Sequence, residues 1–197
     1  MKDEHHKLSK RNGDASFQDL VAKGYLPAAI LNYIALLGWS PETEQEIYSL
    51  DELKKAFSVE RISKSPAIFD IEKLTWMNGM YIRNLTLEQF HQLALPHLKN
   101  AVKGDFDLVE ISKILQPRVS TLNEIDEMVD FFDVLPEYDI AMYTHKKMKT
   151  NAEIALTSLK QAREVLAALP QWSEEAIHDS LMNLIQESGI KNGQMLW

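Results

Sequence analysis

Cysteine is absent from the 197 residues. That removes disulfides, thiolate nucleophiles and thiolate metal sites together, and agrees with a reducing compartment. No apolar run approaches the roughly 20 residues needed to span a bilayer. The opening Met-Lys-Asp-Glu-His-His is no secretion signal, so a cytoplasmic protein that does not engage membranes is expected. Metal-ligand spacing is lacking as well. His5-His6 lies too near the chain start to be framed by a scaffold, and His91, His97, His145 and His178 have no partners at ligand spacing. Paired carboxylates such as Glu174-Glu175 fall at helix starts, where the macrodipole accounts for them. Neither a metal site nor a nucleophilic triad is expected. Positive charge is in deficit, with 21 Lys and Arg against 29 Asp and Glu and a net charge of −8. This counts against nucleic-acid binding, because phosphate affinity comes from Lys and Arg.

The charge is unevenly spread, and local field matters more than the total. Glu42, Glu44, Glu46, Asp51, Glu52 and Glu60 face only Lys54 and Lys55 within residues 42–60, while cations gather at Lys7–Arg11 and at Lys146, Lys147 and Lys149. Hydrophobic residues at 45% and charged ones at 25% are ordinary for a globular protein, and the length suits one or two domains. No fixed-period repeat or low-complexity tract occurs.

Helix punctuation runs through the chain. Ser16 caps a short helix through Ala22 with Gly24 just past it, and Pro27 opens a second that stops at Gly38, with Ile30, Leu31, Ile34 and Leu37 as its apolar stripe. Ser40–Glu46 reads as a loop. Ser49 with Glu52 forms a capping box. Asp70 caps a helix to Arg83 with Ile71, Leu74, Met77 and Tyr81 inward and Trp76 in the core. Thr86 with Gln89 starts a helix broken near Pro96, and Asp105–Leu115 is the next. Thr121 with Glu124 caps a segment to Leu135, Thr150 with Glu153 caps one to Leu169, and Ser173 opens the last, closed at Ser188-Gly189. The fold class expected is mostly α: a small region with minor β content over residues 1–84, then an α-helical bundle or cage over residues 85–197.

Residues Lys7–Ser16 pack cations, a hydroxyl and a glycine into a polar loop without hydrophobic period. Lys7, Lys10 and Arg11 supply charge, and Ser9 and Gly13 let backbone approach a polyphosphate. On composition alone a solvated basic arm is the commoner explanation. Lys7-Leu8-Ser9-Lys10-Arg11, however, resembles the second signature of class I aminoacyl-tRNA synthetases, Lys-Met-Ser-Lys-Ser, in the variant used by the bacterial glutamyl-tRNA synthetases. The likeness continues in the family's order through Gly24-Tyr25-Leu26-Pro27, Leu36-Leu37-Gly38-Trp39-Ser40, Phe69–Leu74, Trp76-Met77-Asn78-Gly79 and Tyr81-Ile82-Arg83. It goes on to Gln116-Pro117-Arg118 and Gly189–Gln194. Arg61–Ser65 mimics the signature more closely still, but leads into Pro66 and a capped helix; it is expected to be a structural turn.

The resemblance implies a ligase that activates glutamate with ATP and magnesium, then transfers it to tRNA(Glu). It implies that Lys10 stabilises charge on the splitting nucleotide in the transition state, with Lys7 and Ser9 shaping the ATP loop. Lys73 and Arg83 would meet the tRNA backbone in a stem-contact region, residues 1–84. Arg118, in an anticodon-binding region over residues 85–197, would read the first anticodon base, a task suited to a planar guanidinium; without the family match, an ion pair with Glu124 is the simpler reading. The nucleotide-binding catalytic fold and the end of the anticodon region are not found in this stretch. The stretch alone is therefore expected to be an inactive, monomeric tRNA-binding piece without a cofactor of its own. Two alternatives stay open: a noncatalytic helical interaction module that kept a synthetase's sequence, and part of a relaxed enzyme that also charges tRNA(Gln).

Overall fold

Residues 16–65, 67–135 and 137–189 are described by a computed structural model. The chain forms two compact units, Met1–Pro136 and Glu137–Trp197. Within the described residues both are helical; the minor β content expected over residues 1–84 amounts there to one isolated antiparallel bridge, Trp39 with Ile62, and a second, His145 with Thr150, lies beyond that region.

Local capping sets the helices of the first unit. In α1 (Phe17–Ala22), Ser16 and Asp19 form a reciprocal capping box. The next helix, α2 (Pro27–Gly38), begins on Pro27. In α3 (Leu50–Ala56), Ser49 and Glu52 repeat the box. For α4 (Ile71–Asn84), the Asp70 carboxylate accepts from the N–H groups of Glu72 and Lys73. Thr86 and Gln89 cap α5 (Leu87–Ala101), Asp107 caps α6 (Leu108–Leu115), and α7 (Glu124–Met128) is a short segment after a turn. These side chains satisfy orphan N–H groups of the first turns, which is why the starts of α1, α3, α4 and α5 were readable from sequence. The helix expected from Asp105 starts instead after Asp107, and the one expected after Thr121 starts at Glu124 without a side-chain cap.

Several expectations are corrected by packing. Helix α5 runs unbroken past Pro96, because that residue and Gln92, whose carbonyl loses its partner, both face solvent. Leu31 and Ile34 are exposed; Ala29, Ile30 and Tyr33 are the buried face of α2. On α4 the buried positions are Leu74, Met77, Asn78, Gly79 and Ile82. Ile71 precedes the packed turns, and Trp76, some 200° round the helix from Leu74, is 46% exposed rather than core. Segment 121–135 is helical only over Glu124–Met128.

Helix α4 serves both cores of this unit. Its Leu74 and Met77 join Leu20, Tyr25, Ile30 and Tyr33. Its Ile82 joins Phe90, Leu98, Leu115, Val119 and Ile125. Packing is thus continuous across Asn84.

Buried amides tie these elements. Asn32 Oδ1 accepts from the Tyr48 N–H at 2.8 Å and lies 2.8 Å from the Tyr81 hydroxyl, which also faces the Tyr48 carbonyl. Burial, then the nearby Glu52 carboxylate, push the Tyr81 hydroxyl up to about 12 from the ordinary 10.0. A proton kept longer in the fold than in the unfolded chain contributes stability that is whole below pH 10 and is lost as pH rises towards about 12. Tyr33, raised chiefly by burial, acts in the same sense. Tyr81→Phe is therefore expected to flatten the alkaline loss of stability. Urea midpoints for both proteins from pH 10.0 towards about 12 check this; parallel alkaline limbs would contradict it.

The second unit holds a 3-10 turn (Ile140–Tyr143), the bridged turn 145–150, and two packed helices, α8 (Ala152–Ala167) and α9 (Glu174–Ser188). Asn151 and Ser173 cap their starts, and Gly189, at φ +65°, ends α9 in the left-handed region. Lys146, Lys147 and Lys149 lie exposed in the bridged turn. Among the described residues no helix is long and apolar enough to cross a membrane.

Candidate nucleic-acid interface

Lys7, Ser9 and Lys10, the residues expected at ATP, lie outside the described residues. The three expected RNA contacts, Lys73, Arg83 and Arg118, are described, and the fold groups two of them.

Arg118 sits in the turn that follows α6. Its own N–H and that of Val119 both bond the Leu115 carbonyl, at 2.8 and 3.1 Å. Gln116 fixes the turn from below, donating through Nε2 to the carbonyls of Ile82 (3.0 Å) and Leu85 (2.8 Å) at the end of α4. Asn78 fixes it again. Fully buried, it accepts from the Leu26 N–H at 2.7 Å through Oδ1 and donates to the Ser120 carbonyl at 2.6 Å through Nδ2. The Glu124 carboxylate is occupied by the Ser120 N–H and the Thr121 hydroxyl. Arg118 therefore has no ion pair with Glu124; its backbone is fixed while its guanidinium stands exposed and without an ion pair among the described residues.

Arg83 belongs to the same joint. A Cβ placed on Gly79 would lie 2.9 Å from its Nη2 and 3.1 Å from Ser120 Oγ. The guanidinium thus folds back over the bare turn of α4 beside the 116–121 loop, and Gly79 is the gap that admits it. Arg83 is also exposed.

Lys73 stands apart, ten residues earlier on α4 or about 15 Å along its axis. Its ammonium is paired with Glu46, at the edge of a hollow of about 360 Å³ lined also by Glu44, Gln45, Ser40 and Trp39. The local field there is acidic. The Arg61–Ser65 segment is a structural turn: Arg61 donates to the Ser40 carbonyl at 2.7 Å and to that of Pro41 at 2.5 Å, and the Ser63 N–H bonds the Gly38 carbonyl at 2.8 Å.

Asn78 and Gly79, expected to serve close helix packing, and Gln116, given no role of its own from the sequence, are positioning residues of this joint. A polar residue inside the apolar stripe of α4 was the available signal for Asn78. For Gln116 the family likeness marked the position, but its role was hidden because its partners lie 31 and 34 residues away. Among the described residues no group of three or more His, Asp or Glu side chains is placed to hold a metal ion.

A family model described as "Anticodon binding domain" matches residues 89–197, and one described as "tRNA synthetases class I (E and Q), catalytic domain" matches residues 1–76. The chain is 59% identical over its whole length to a glutamate–tRNA ligase of Clostridium tetani and 55% identical to one of Clostridium acetobutylicum. It spans about 40% of the length of these curated relatives. A crystal structure of a glutamate–tRNA ligase from Elizabethkingia meningosepticum shares the fold, with a TM-score of 0.75 at 24% identity over 98% of this chain and 42% of that one.

Proposed function

The chain belongs to the anticodon binding domain family, and on that premise we propose that it is the tRNA-binding portion of a glutamate–tRNA ligase. The observation that carries this reading is kinship at 55–59% identity along the whole chain with proteins of that activity. The parent activates glutamate with ATP and magnesium and passes it to tRNA(Glu) in the cytoplasm, acting as a monomer. Residues 1–84 meet the stem and residues 85–197 the anticodon, a division that falls between the two matched stretches. In the parent, Lys7 and Ser9 shape the ATP loop, and Lys10 supplies the charge that the nucleotide needs only as it splits.

Lys73 and Arg83 grip phosphates, which gives affinity and register without reading sequence. Arg118 reads the first anticodon base. Its supporting geometry is a free guanidinium on a backbone already fixed by Gln116 and Leu115, so little order is lost on binding. The test is titration of tRNA(Glu) with the 197-residue chain at several salt concentrations. Binding without charging is expected, with a log–log salt slope near −2 for two neutralised phosphates. Absence of binding at low salt, or affinity indifferent to salt, would overturn the reading.

Lys73 must leave Glu46 to reach a phosphate. Glu46→Gln removes that competitor and one repelling charge, so tRNA affinity is expected to rise about 2- to 5-fold, the scale of an exposed ion pair. Unchanged or weaker binding in the same titration would remove Lys73 from the interface.

A further inference from the structure

Lys146, Lys147 and Lys149 stand exposed at the tip of the bridged turn 145–150 in the second unit. We propose that this tip grips RNA phosphates, as a contact surface additional to Lys73, Arg83 and Arg118. The inference rests on the RNA-binding reading and adds to it three residues that this reading leaves without a task.

Three features point to a polyanion. The first is charge. Residues 137–189 hold eight Asp and Glu against five Lys and Arg, and three of those five fall within four positions. Other lysines meet carboxylates, Lys54 with Asp51 and Lys113 with Glu110. The three of the turn have no ion pair among the described residues, so their mutual repulsion is relieved only from outside. The second is order. The His145 N–H meets the Thr150 carbonyl at 3.3 Å and its hydroxyl at 3.1 Å, and the Thr150 N–H returns to the His145 carbonyl at 3.3 Å. Across the tip, the Lys149 N–H bonds the Lys146 carbonyl and the Met148 N–H bonds His145 Nδ1, each at 3.3 Å. Such a turn holds the Cα atoms of Lys146 and Lys149 within about 7 Å, comparable to one step between phosphates along a strand. Only side chains then remain to be ordered on contact. The third is strain. Lys149, at φ +56°, is the one residue other than glycine with a positive φ among the described residues. Glycine or asparagine holds that conformation more easily, so what lysine adds there is its ammonium.

An anionic lipid surface is the rival, and it would engage Ile140 and Met142, exposed on the preceding 3-10 turn. Basic tracts that hold lipid headgroups use roughly four to eight Lys and Arg. Three lysines fall short of that count, yet they suffice as additional contacts on an RNA already held by other residues. The count therefore favours RNA.

The experiment titrates the full 197-residue chain and three variants with tRNA(Glu), and with an unrelated tRNA, at several salt concentrations. A log–log slope near −2 counts Lys73 and Arg83 alone, and each further phosphate steepens it by roughly 0.7–0.9. Lys146→Gln, Lys147→Gln and Lys149→Gln combined are expected to flatten the slope of the intact chain by about 2 to 3. The change should be equal for both RNAs, because phosphates carry no sequence. Lys149→Asn alone should flatten it by roughly 0.7–0.9 while its urea midpoint holds or rises as the strain is relieved. A merely structural lysine would instead lower the midpoint and leave the slope. Lys160→Gln, which removes a cation of the same unit from α8, should not move the slope. Equal slopes for the intact chain and the combined variant, or equal flattening by Lys160→Gln, would overturn the phosphate grip while leaving RNA binding in place. Sedimentation with equimolar phosphatidylcholine–phosphatidylserine vesicles tests the rival: if the combined variant lost it and kept the RNA slope, the turn would belong to lipid. Failure of the intact chain to bind either tRNA at low salt would overturn both the grip and the reading beneath it.

Discussion

Gly24→Ala is expected to cost about 3–5 kcal/mol of stability, a core-scale loss from one added methyl. Gly24 has φ +86°, a region that L side chains enter at about 1–2 kcal/mol. A Cβ there would also lie 2.6 Å from the Asn123 backbone nitrogen and 2.7 Å from that of Leu122. Neither atom is the loose end of a side chain, so backbone must shift. The shift breaks a clasp: the Leu122 N–H bonds the Gly24 carbonyl at 3.0 Å, and Asn123 Nδ2 donates to the Ala22 carbonyl at 3.0 Å. Gly38 provides the contrast. It is the last residue of α2, with nothing within 4 Å of an added Cβ, so Gly38→Ala should be neutral or stabilising by up to about 1 kcal/mol. Urea unfolding of the two variants measures both; a Gly24→Ala loss below about 1 kcal/mol would show that the 122–123 turn yields without cost.

Arg118→Ala is expected to erase discrimination at one anticodon base, reducing the preference for the right base by about 5- to 100-fold, the scale of a bidentate base contact. Binding to all loops should fall by a smaller common factor, that of one lost cation. Arg118→Lys separates the two effects, since an ammonium keeps charge but lacks the planar fork. It should retain most of the general affinity and little of the preference. The check is a competition titration with anticodon loops differing in one base. If Arg118→Ala weakened every loop equally, the side chain would be a phosphate contact and not a reader.

Much of the helical layout was legible because its signals are local. Ser16, Ser49, Asp70, Thr86 and Ser173 each accept from an N–H two or three residues away, and three-residue spacing is visible in a string of letters. Facing was less legible. Leu31 and Ile34 obey helical periodicity yet stay in water, since the period tells which residues share a side and not which side meets a partner. Least legible were the long-range amide clasps: Asn32 to Tyr48 and Tyr81, Asn78 to Leu26 and Ser120, and Asn123 to Ala22, the last across 101 residues. In the candidate site, family likeness marked Arg83 and Arg118, and the fold shows what likeness could not: the two share a joint, whereas Lys73 is already engaged by Glu46.

That joint has a mechanical corollary. Because Gln116 bolts the Arg118 turn to the last carbonyls of the helix carrying Arg83, the interval between the two backbone positions that bear these guanidinium groups is set like the jaws of a gauge. If, as proposed, Arg83 grips a phosphate and Arg118 meets the loop, an RNA arm with one base pair inserted between those two points would be out of gauge. The molecule would then reject it by span, before any letter of the loop is inspected.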